Sequence, residues 1–329
     1  MIIENKMAFA GIILVIVVSG CVSNSIPLEP TTSTTTTTIP TTTTNPATTT
    51  STTTTTTPTT TLQPVSDNVT KIKIAAFNIQ VFGKSKAGKP EVMDIISKIA
   101  REFDIVLVQE IRDSTGETSI LYLNEINKIG QKTYSYVISE RLGRTTSKEA
   151  YAYYYNNKTV NFTFGYVFND TNDAFEREPY IASFKSGNLD FTLVGVHIKP
   201  DDAKQEIGNL TLVVNSIITK TPQEKDVIVM GDFNADGSYF NENDVSNPFK
   251  AAEFQWIITN DMDTMVKTNN TYDRIVITNA TNSYEYVNNS ASVFYFDSVY
   301  GINNQTFVQE VSDHYPVYAE FYTGLKDDD

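Results

Sequence analysis

Two histidines are all that this chain of 329 residues contains, and each lies at the edge of an apolar run. His197 ends the segment FTLVGVHIKP, and His314 lies in VSDHYPVYAEF beside Asp313. Imidazole is the side chain whose ordinary pKa falls near neutral pH, so a pair of them can take up and release protons during a reaction. Four more polar residues end apolar runs: Asn78, Glu110, Asp232 and Asn234. Their oxygens are hard ligands that suit Mg²⁺, Mn²⁺ or Ca²⁺, whereas two histidines and one cysteine offer little to a structural zinc site. The chemistry this set implies is metal-assisted hydrolysis of a phosphate ester.

Strands must bring these residues together. Lys71 to Phe77 alternates like a half-buried strand and runs into Asn78. Asp104 to Glu110 and Asp226 to Asp232 read as buried strands ending in carboxylates, the second continuing to Phe233 and Asn234. Phe191 to Val196 is another, ending at His197. Between the first two, Pro90 to Phe103 places Val92, Ile95, Ile96, Ile99 and Phe103 at helical spacing. Strands alternating with helices predict a layered α/β (α+β) domain. One acid after one strand is an ordinary turn or cap, but several such ends match the way open sheets collect ligands at the carboxyl ends of their strands.

Ahead of that domain, residues 1–20 read as a lipoprotein-type signal, with Lys6, an apolar stretch from Ala8 to Val18, and the small-residue box Val18-Ser19-Gly20-Cys21. Cys21, the sole cysteine, is the expected lipidation site; an uncleaved signal anchor is the other reading. Residues 21–66 form a threonine-rich linker of the composition of O-glycosylated stalks. The catalytic domain is expected over 67–325, with an acidic tail at 326–329. This places the body at the cell surface, on the outer face of the cytoplasmic membrane. No intramolecular disulfide can form, so burial, ions or glycans must stabilise the domain. Asn-x-Ser/Thr sequons at Asn68, Asn157, Asn161, Asn169, Asn209, Asn269, Asn279, Asn288 and Asn304 fit an exported surface. The formal charge of −14 argues against a broad basic face for gripping nucleic acid.

Seven colinear segments carry a resemblance. KIAAFNIQVFG (73–83), DIVLVQEIRD (104–113), SERLGRTTSKE (139–149), EREPY (176–180), MGDFNADGSY (230–239), YDRIVI (272–277) and SDHYPV (312–317) resemble the deoxyribonuclease I family, of the endonuclease/exonuclease/phosphatase superfamily. The resemblance implies a four-layer sandwich, two packed mixed β-sheets flanked by helices, and metal-dependent phosphodiester hydrolysis. It pairs His197 with Glu149 and His314 with Asp273, each carboxylate orienting an imidazole. His314 is assigned as base and His197 as acid, an ordering that can be exchanged without changing a residue. Glu110, Asp232, Asp313 and Asn78 would hold metal. Asn78, Arg112, Arg144, Arg177, Asn234 and Tyr272 would contact substrate.

Departures from the family pattern matter as much. Gln80 stands where the family has Arg, and Ser147 and Ala150 replace a Tyr and an Arg that flank Glu149. Those family side chains reach the duplex minor groove, so weaker binding to double-stranded DNA is expected. Gly237 occupies a family cysteine position, and the loop from Asn169 to Phe175 is short. Two oxygen-rich loops, one with Asp170, Asp173 and Glu178 and one with Asp261, Asp263 and Thr264, lie near the family's structural calcium loops. Three functions fit these residues: a membrane-tethered endonuclease acting on extracellular, double-stranded DNA as a monomer; a phosphodiesterase or phosphatase acting on lipid or small-molecule phosphates; and an inactive stalked binding module. Arg112, Arg177 and Tyr272 favour the first over the second, and the intact His, Glu and Asp positions argue against the third.

Overall fold

A computed structural model describes residues 70–327. The signal, Cys21, the threonine tract, Asn68 and the last two residues lie outside the described residues. In chain order the strands are β1 (Lys71–Phe82), β2 (Ile105–Ile111), β3 (Tyr134–Ile138), β4 (Ala150–Asn156), β5 (Asn161–Val167), β6 (Tyr180–Ser186), β7 (Leu189–His197), β8 (Val227–Asp232), β9 (Phe254–Trp256), β10 (Asp273–Thr278), β11 (Ser292–Val293) and β12 (Val317–Tyr322). The helices that matter for the site are α1 (Lys84–Ala87), α2 (Pro90–Arg101), α3 (Glu117–Asn127) and α4 (Ala203–Lys220).

The strands make two six-stranded sheets, ordered β11-β12-β1-β2-β4-β3 and β5-β6-β7-β8-β10-β9. Each sheet is mixed and contains one parallel pair, β1 with β2 and β7 with β8. A parallel pair needs a crossover, and α2 and α4 supply the two crossovers. The expected strands and the helix after β1 all form, within a few residues of the bounds read from the pattern.

Alternation along the strands builds the layers. On β8, Ile228 and Met230 point into the space between the sheets, while Val227 and Val229 face the opposite way and join Ile207, Leu210, Val213 and Ile217 of α4. Val194 and Val196 of β7 face α4 as well, and Leu193 faces the other sheet. On the far side, Val92, Ile95, Ile96 and Ile99 of α2 pack on the first sheet, and Tyr122 of α3 donates its hydroxyl to Ile96 O at 2.9 Å. The result is helix, sheet, sheet, helix. Fully burying one aliphatic side chain is worth roughly 1.5–3 kcal/mol, so this double core can replace the missing disulfides.

The sheets approach closely just behind His197. A Cβ on Gly195 would lie 2.8 Å from Tyr153 Oη and 2.9 Å from Leu107 Cδ1, so no side chain fits there. Of the sequons within the described residues, Asn157, Asn161, Asn169, Asn269, Asn279, Asn288 and Asn304 are exposed, and Asn209 is half-buried.

Candidate active site

The carboxyl ends of the two parallel pairs meet at one edge of the sandwich, where Asn78 of β1 donates to Asp232 of β8 at 3.1 Å. That edge receives Asn78 from β1, Glu110 from β2, His197 from β7 and Asp232 from β8. The antiparallel partners complete it at or just before their starts. Asp273 opens β10 directly opposite Asp232, and His314 lies just before β12, the neighbour of β1.

Backbone strain concentrates here. Gln80, Val81, Glu110 and Asn234 adopt positive φ values of 21°, 52°, 59° and 47°. The β1–β2 register shifts between Asn78 and Phe82, and the β2–β4 register between Val108 and Ile111. These bulges turn the polar side chains out of the alternation and toward the edge, at a cost of order 1–3 kcal/mol per strained residue. Gly231 precedes Asp232 with φ 137°, and a Cβ there would lie 2.1 Å from Val196 O. Only glycine lets β7 and β8 meet at that point.

Each imidazole is held by a buried carboxylate. His197 Nδ1 lies 2.7 Å from Glu149 Oε1, and His314 Nδ1 lies 2.8 Å from Asp273 Oδ2. Their free nitrogens turn to one atom: Asp232 Oδ2 is 3.4 Å from His197 Nε2 and 3.7 Å from His314 Nε2. Asn78 Nδ2 bridges Asp232 Oδ2 at 3.1 Å and Glu110 Oε1 at 3.3 Å. Asp313 Oδ1 is 3.8 Å from His314 Nε2. The pairings implied by the resemblance are therefore present, and of the proposed metal residues Asn78 joins Asp232 to Glu110, while Asp313 lies beside His314.

The residues expected to contact substrate divide. Arg112 is 2.8 Å from Glu110 and 3.9 Å from Glu149, and Arg177 is 3.6 Å from Glu149 while donating to His197 O at 3.0 Å. Both guanidinium groups lie beside the dyads. Arg144 instead pairs with Asp173 at 3.0 Å and Glu176 at 3.6 Å, one loop away. Asn234 donates its backbone N–H to Asp232 Oδ1 at 2.9 Å and its side chain to Ile198 O at 2.9 Å. Half-buried Tyr272 packs 5.6 Å from Tyr239, centroid to centroid. Of the two oxygen-rich loops, Asp170 caps Phe175 N at 2.8 Å, Asp261 accepts the Thr259 hydroxyl, and Asp263 accepts Tyr295 Oη through its carbonyl. Glu178 is half-buried.

Charge sets the protonation of the site. Burial disfavours the His314 cation, but Asp273 and Asp232 outweigh it and raise the imidazole to about 10. Burial and then Asp232 hold the Asp273 carboxyl up against the attraction of His314. Burial also opposes the His197 cation and is outweighed by Glu149. Glu149 itself would be raised by burial, yet His197, Arg177 and Arg112 hold it low. Asp232 is low for a like reason, burial being offset by His314 and His197.

The residues fit a divalent cation. Asp313 Oδ1, Asp273 Oδ1 and Glu149 Oε2 are buried with no hydrogen-bond partner, and ligand atoms of Asp232, Asp273 and His314 all lie within 4.8 Å of one another. Buried carboxylate oxygens without partners are costly unless a cation joins them.

Sequence reasoning missed several supports. Thr264 Oγ1 accepts the N–H of Tyr272 at 3.0 Å and of Asp273 at 3.2 Å. Glu206 of α4, fully buried, accepts Glu176 N at 2.8 Å and Lys199 N at 3.1 Å, joining the loop of Arg177 to the end of β7. Tyr151 Oη accepts His197 N at 3.1 Å. No local pattern distinguishes these from surface threonine, helix glutamate or core tyrosine.

Residues 75–314 match the Endonuclease/Exonuclease/phosphatase family. The chain is similar to Deoxyribonuclease-1 of Bos taurus, 38% identical over 257 residues that cover 75% of this chain and 90% of that protein. It is likewise similar to Deoxyribonuclease-1 of Homo sapiens, 38% identical over 267 residues, 78% of this chain and 94% of that one. Among solved structures, humanized D. rerio TDP2 shares the fold, with a TM-score of 0.57, 16% identity, and coverage of 77% of this chain and 99% of that one.

Proposed function

The chain belongs to the endonuclease/exonuclease/phosphatase family, and to the deoxyribonuclease I family within it, and from that premise we propose that it is an exported, metal-dependent endonuclease that cuts DNA with little sequence specificity. The observation that carries this reading is the convergence of both histidine Nε2 atoms on Asp232 Oδ2, each imidazole backed by its own carboxylate. Two oriented imidazoles on one focus suit a reaction that takes a proton from water and gives one to a leaving oxygen.

In this mechanism the scissile phosphate lies over Asp232. His314 takes a proton from the attacking water, whose oxygen bonds to phosphorus. The phosphorus–O3′ bond breaks, and His197 protonates the departing 3′ oxygen. Glu149 and Asp273 keep the imidazoles oriented, and Arg112 and Arg177 receive the negative phosphate oxygens as bidentate donors. Glu110, Asp232, Asp313 and Asn78 would hold Mg²⁺ or Mn²⁺, which when bound supplies charge neutralisation for these carboxylates and the phosphate, and relieves their pull on the His314 proton. Arg144, Asn234 and Tyr272 are proposed as outer substrate contacts. Structural Ca²⁺ is proposed for the loops of Asp170, Asp173 and Glu178 and of Asp261 and Asp263.

Export, lipid attachment at Cys21 and a glycosylated linker over 21–66 complete the proposal: a monomer held on the outer face of the membrane with its domain free to meet extracellular DNA. Hydrolysis of lipid or small-molecule phosphates is the second reading, favoured by the charge of −14 and by Gln80, Ser147 and Ala150 in place of duplex contacts. Nicking of supercoiled plasmid by residues 66–329 with Mg²⁺ and Ca²⁺, lost with EDTA and in His314→Ala, supports the nuclease. Intact plasmid under every condition favours the second reading.

A further inference from the structure

Three side chains tie the segment carrying Asp313 and His314 to the bulge of β1. Ser312 Oγ donates to Asn78 O at 2.6 Å. Lys86 of α1 reaches beneath the bulge and donates Nζ to Ile79 O at 3.2 Å and Val311 O at 3.0 Å. Gln80 donates Nε2 to Asp313 Oδ2 at 2.8 Å.

The placement of Lys86 is unusual for a lysine. Ordering its four-carbon stem costs up to about 2 kcal/mol of rotamer entropy, and solvent is the easier place for an ammonium. Here it is half-buried instead, facing two carbonyls and the charges of Asp313 and Glu110, with Lys89 and Glu310 further out. Gln80 is equally particular, since its backbone is held at φ 21° by a bond from its N–H to Asn78 Oδ1 at 3.0 Å. With Oδ2 taken by Gln80, the other oxygen of Asp313 is left buried without a hydrogen-bond partner, 3.8 Å from His314 Nε2.

We propose that Lys86 and Gln80 are positioning residues that fix Asp313: Lys86 locks the 311–314 segment to the β1 bulge, and Gln80 holds one carboxylate oxygen so that the other is presented to the metal and phosphate. This rests on the nuclease reading for what Asp313 does, and it gives Gln80 a task other than contacting DNA.

The test uses the full chain with Gln80→Leu, Lys86→Met and Lys86→Arg, each also in an Asp313→Asn background. Mg²⁺ and Mn²⁺ affinities are measured by titration calorimetry, and nicking kinetics on supercoiled plasmid. Gln80→Leu and Lys86→Met should each weaken metal binding by about ten-fold, the scale of one hydrogen bond to a charged group, and lower kcat more than they raise KM. Lys86→Arg should restore part of the loss. In the Asp313→Asn background the same substitutions should change metal affinity by less than about two-fold, since coupled residues are not additive.

Equal effects in both backgrounds, unchanged metal affinity, or tighter binding in Lys86→Met would overturn the proposal. If Lys86→Met fails to fold, Gln80→Leu and Lys86→Arg still decide it. A wild-type chain that binds metal but leaves plasmid intact refutes the nuclease reading alone, because the calorimetric coupling still judges the role of Lys86 and Gln80.

Discussion

His197 and His314, which are 117 positions apart in the sequence, aim Nε2 at the same oxygen, Asp232 Oδ2, from 3.4 and 3.7 Å. One carboxylate thus faces both proton carriers at Nε2, while Glu149 and Asp273 lie closer, at 2.7 and 2.8 Å, on the Nδ1 side of each ring.

Removal of that charge should disable both histidines together. Asp232→Asn is expected to lower kcat by about 10²–10³ or more while the fold survives, since asparagine is nearly isosteric and transition-state electrostatics are worth that much per group. Single-turnover nicking at saturating metal measures it, and a loss below ten-fold would remove Asp232 from the mechanism.

The dyads should act as one unit. His197→Ala and His314→Ala are each expected to cost about 10²–10⁴ in rate, the range of general acid or base catalysis. The double substitution should cost far less than the product of the singles, because a base without an acid leaves the same step blocked. Rates that multiply cleanly would mean the two histidines serve separate steps.

Stability in EDTA should depend on pH in a defined sense. His314 and His197 have folded pKa values above that of free histidine, so their contribution is complete below about 6.5. It is lost as pH rises, for His314 through about 10. Glu149 is held low, so its contribution is present above the ordinary glutamate value and lost as pH falls below it. The melting temperature is therefore expected to peak between about pH 4.5 and 6.5 and to fall toward pH 10, with a shallower alkaline slope in His314→Gln. An alkaline slope identical to wild type would contradict this.

Duplex affinity should respond at Gln80. Gln80→Arg is expected to lower KM on duplex DNA and steepen the log–log salt dependence by about one, the signature of one added phosphate contact. The same change removes the amide that holds Asp313, so kcat should fall as KM improves. Initial rates between 50 and 200 mM salt, concentrations chosen to span about a Debye length of 10 Å, would show it.

Arg274 should be required for folding rather than for chemistry. Its guanidinium is fully buried and donates to Ile258 O at 3.0 Å and to Asn260 Oδ1, Ala235 O and Glu242 Oε2 at 3.1 Å each. Arg274→Leu leaves Glu242 without its cation and is expected to cost about 3–5 kcal/mol in urea unfolding. A loss under 1 kcal/mol would show that water replaces the guanidinium.

Much of this was legible before any fold was known. The strands that end in Asn78, Glu110, His197 and Asp232 announce themselves because apolar runs are local, and α2 because its isoleucines recur at helical spacing. The roles of Glu206, Thr264 and Tyr151 were not legible, since each works by accepting a backbone N–H from another segment, and such a bond leaves no mark on the neighbouring residues. Arg144 lay inside a motif segment, but its nearest partners proved to be Asp173 and Glu176.

By itself the sequence determined which residue types were available and at which strand ends, because hydrophobic periodicity and motif spacing are properties of neighbouring positions. Only the tertiary structure decided that Asp232 is shared by both imidazoles, that Gln80 turns to Asp313, and that Lys86 is drawn beneath the β1 bulge. Those relations depend on the packing of two sheets and on strained bulges, and the distances they set are fixed by contacts between residues far apart in the chain.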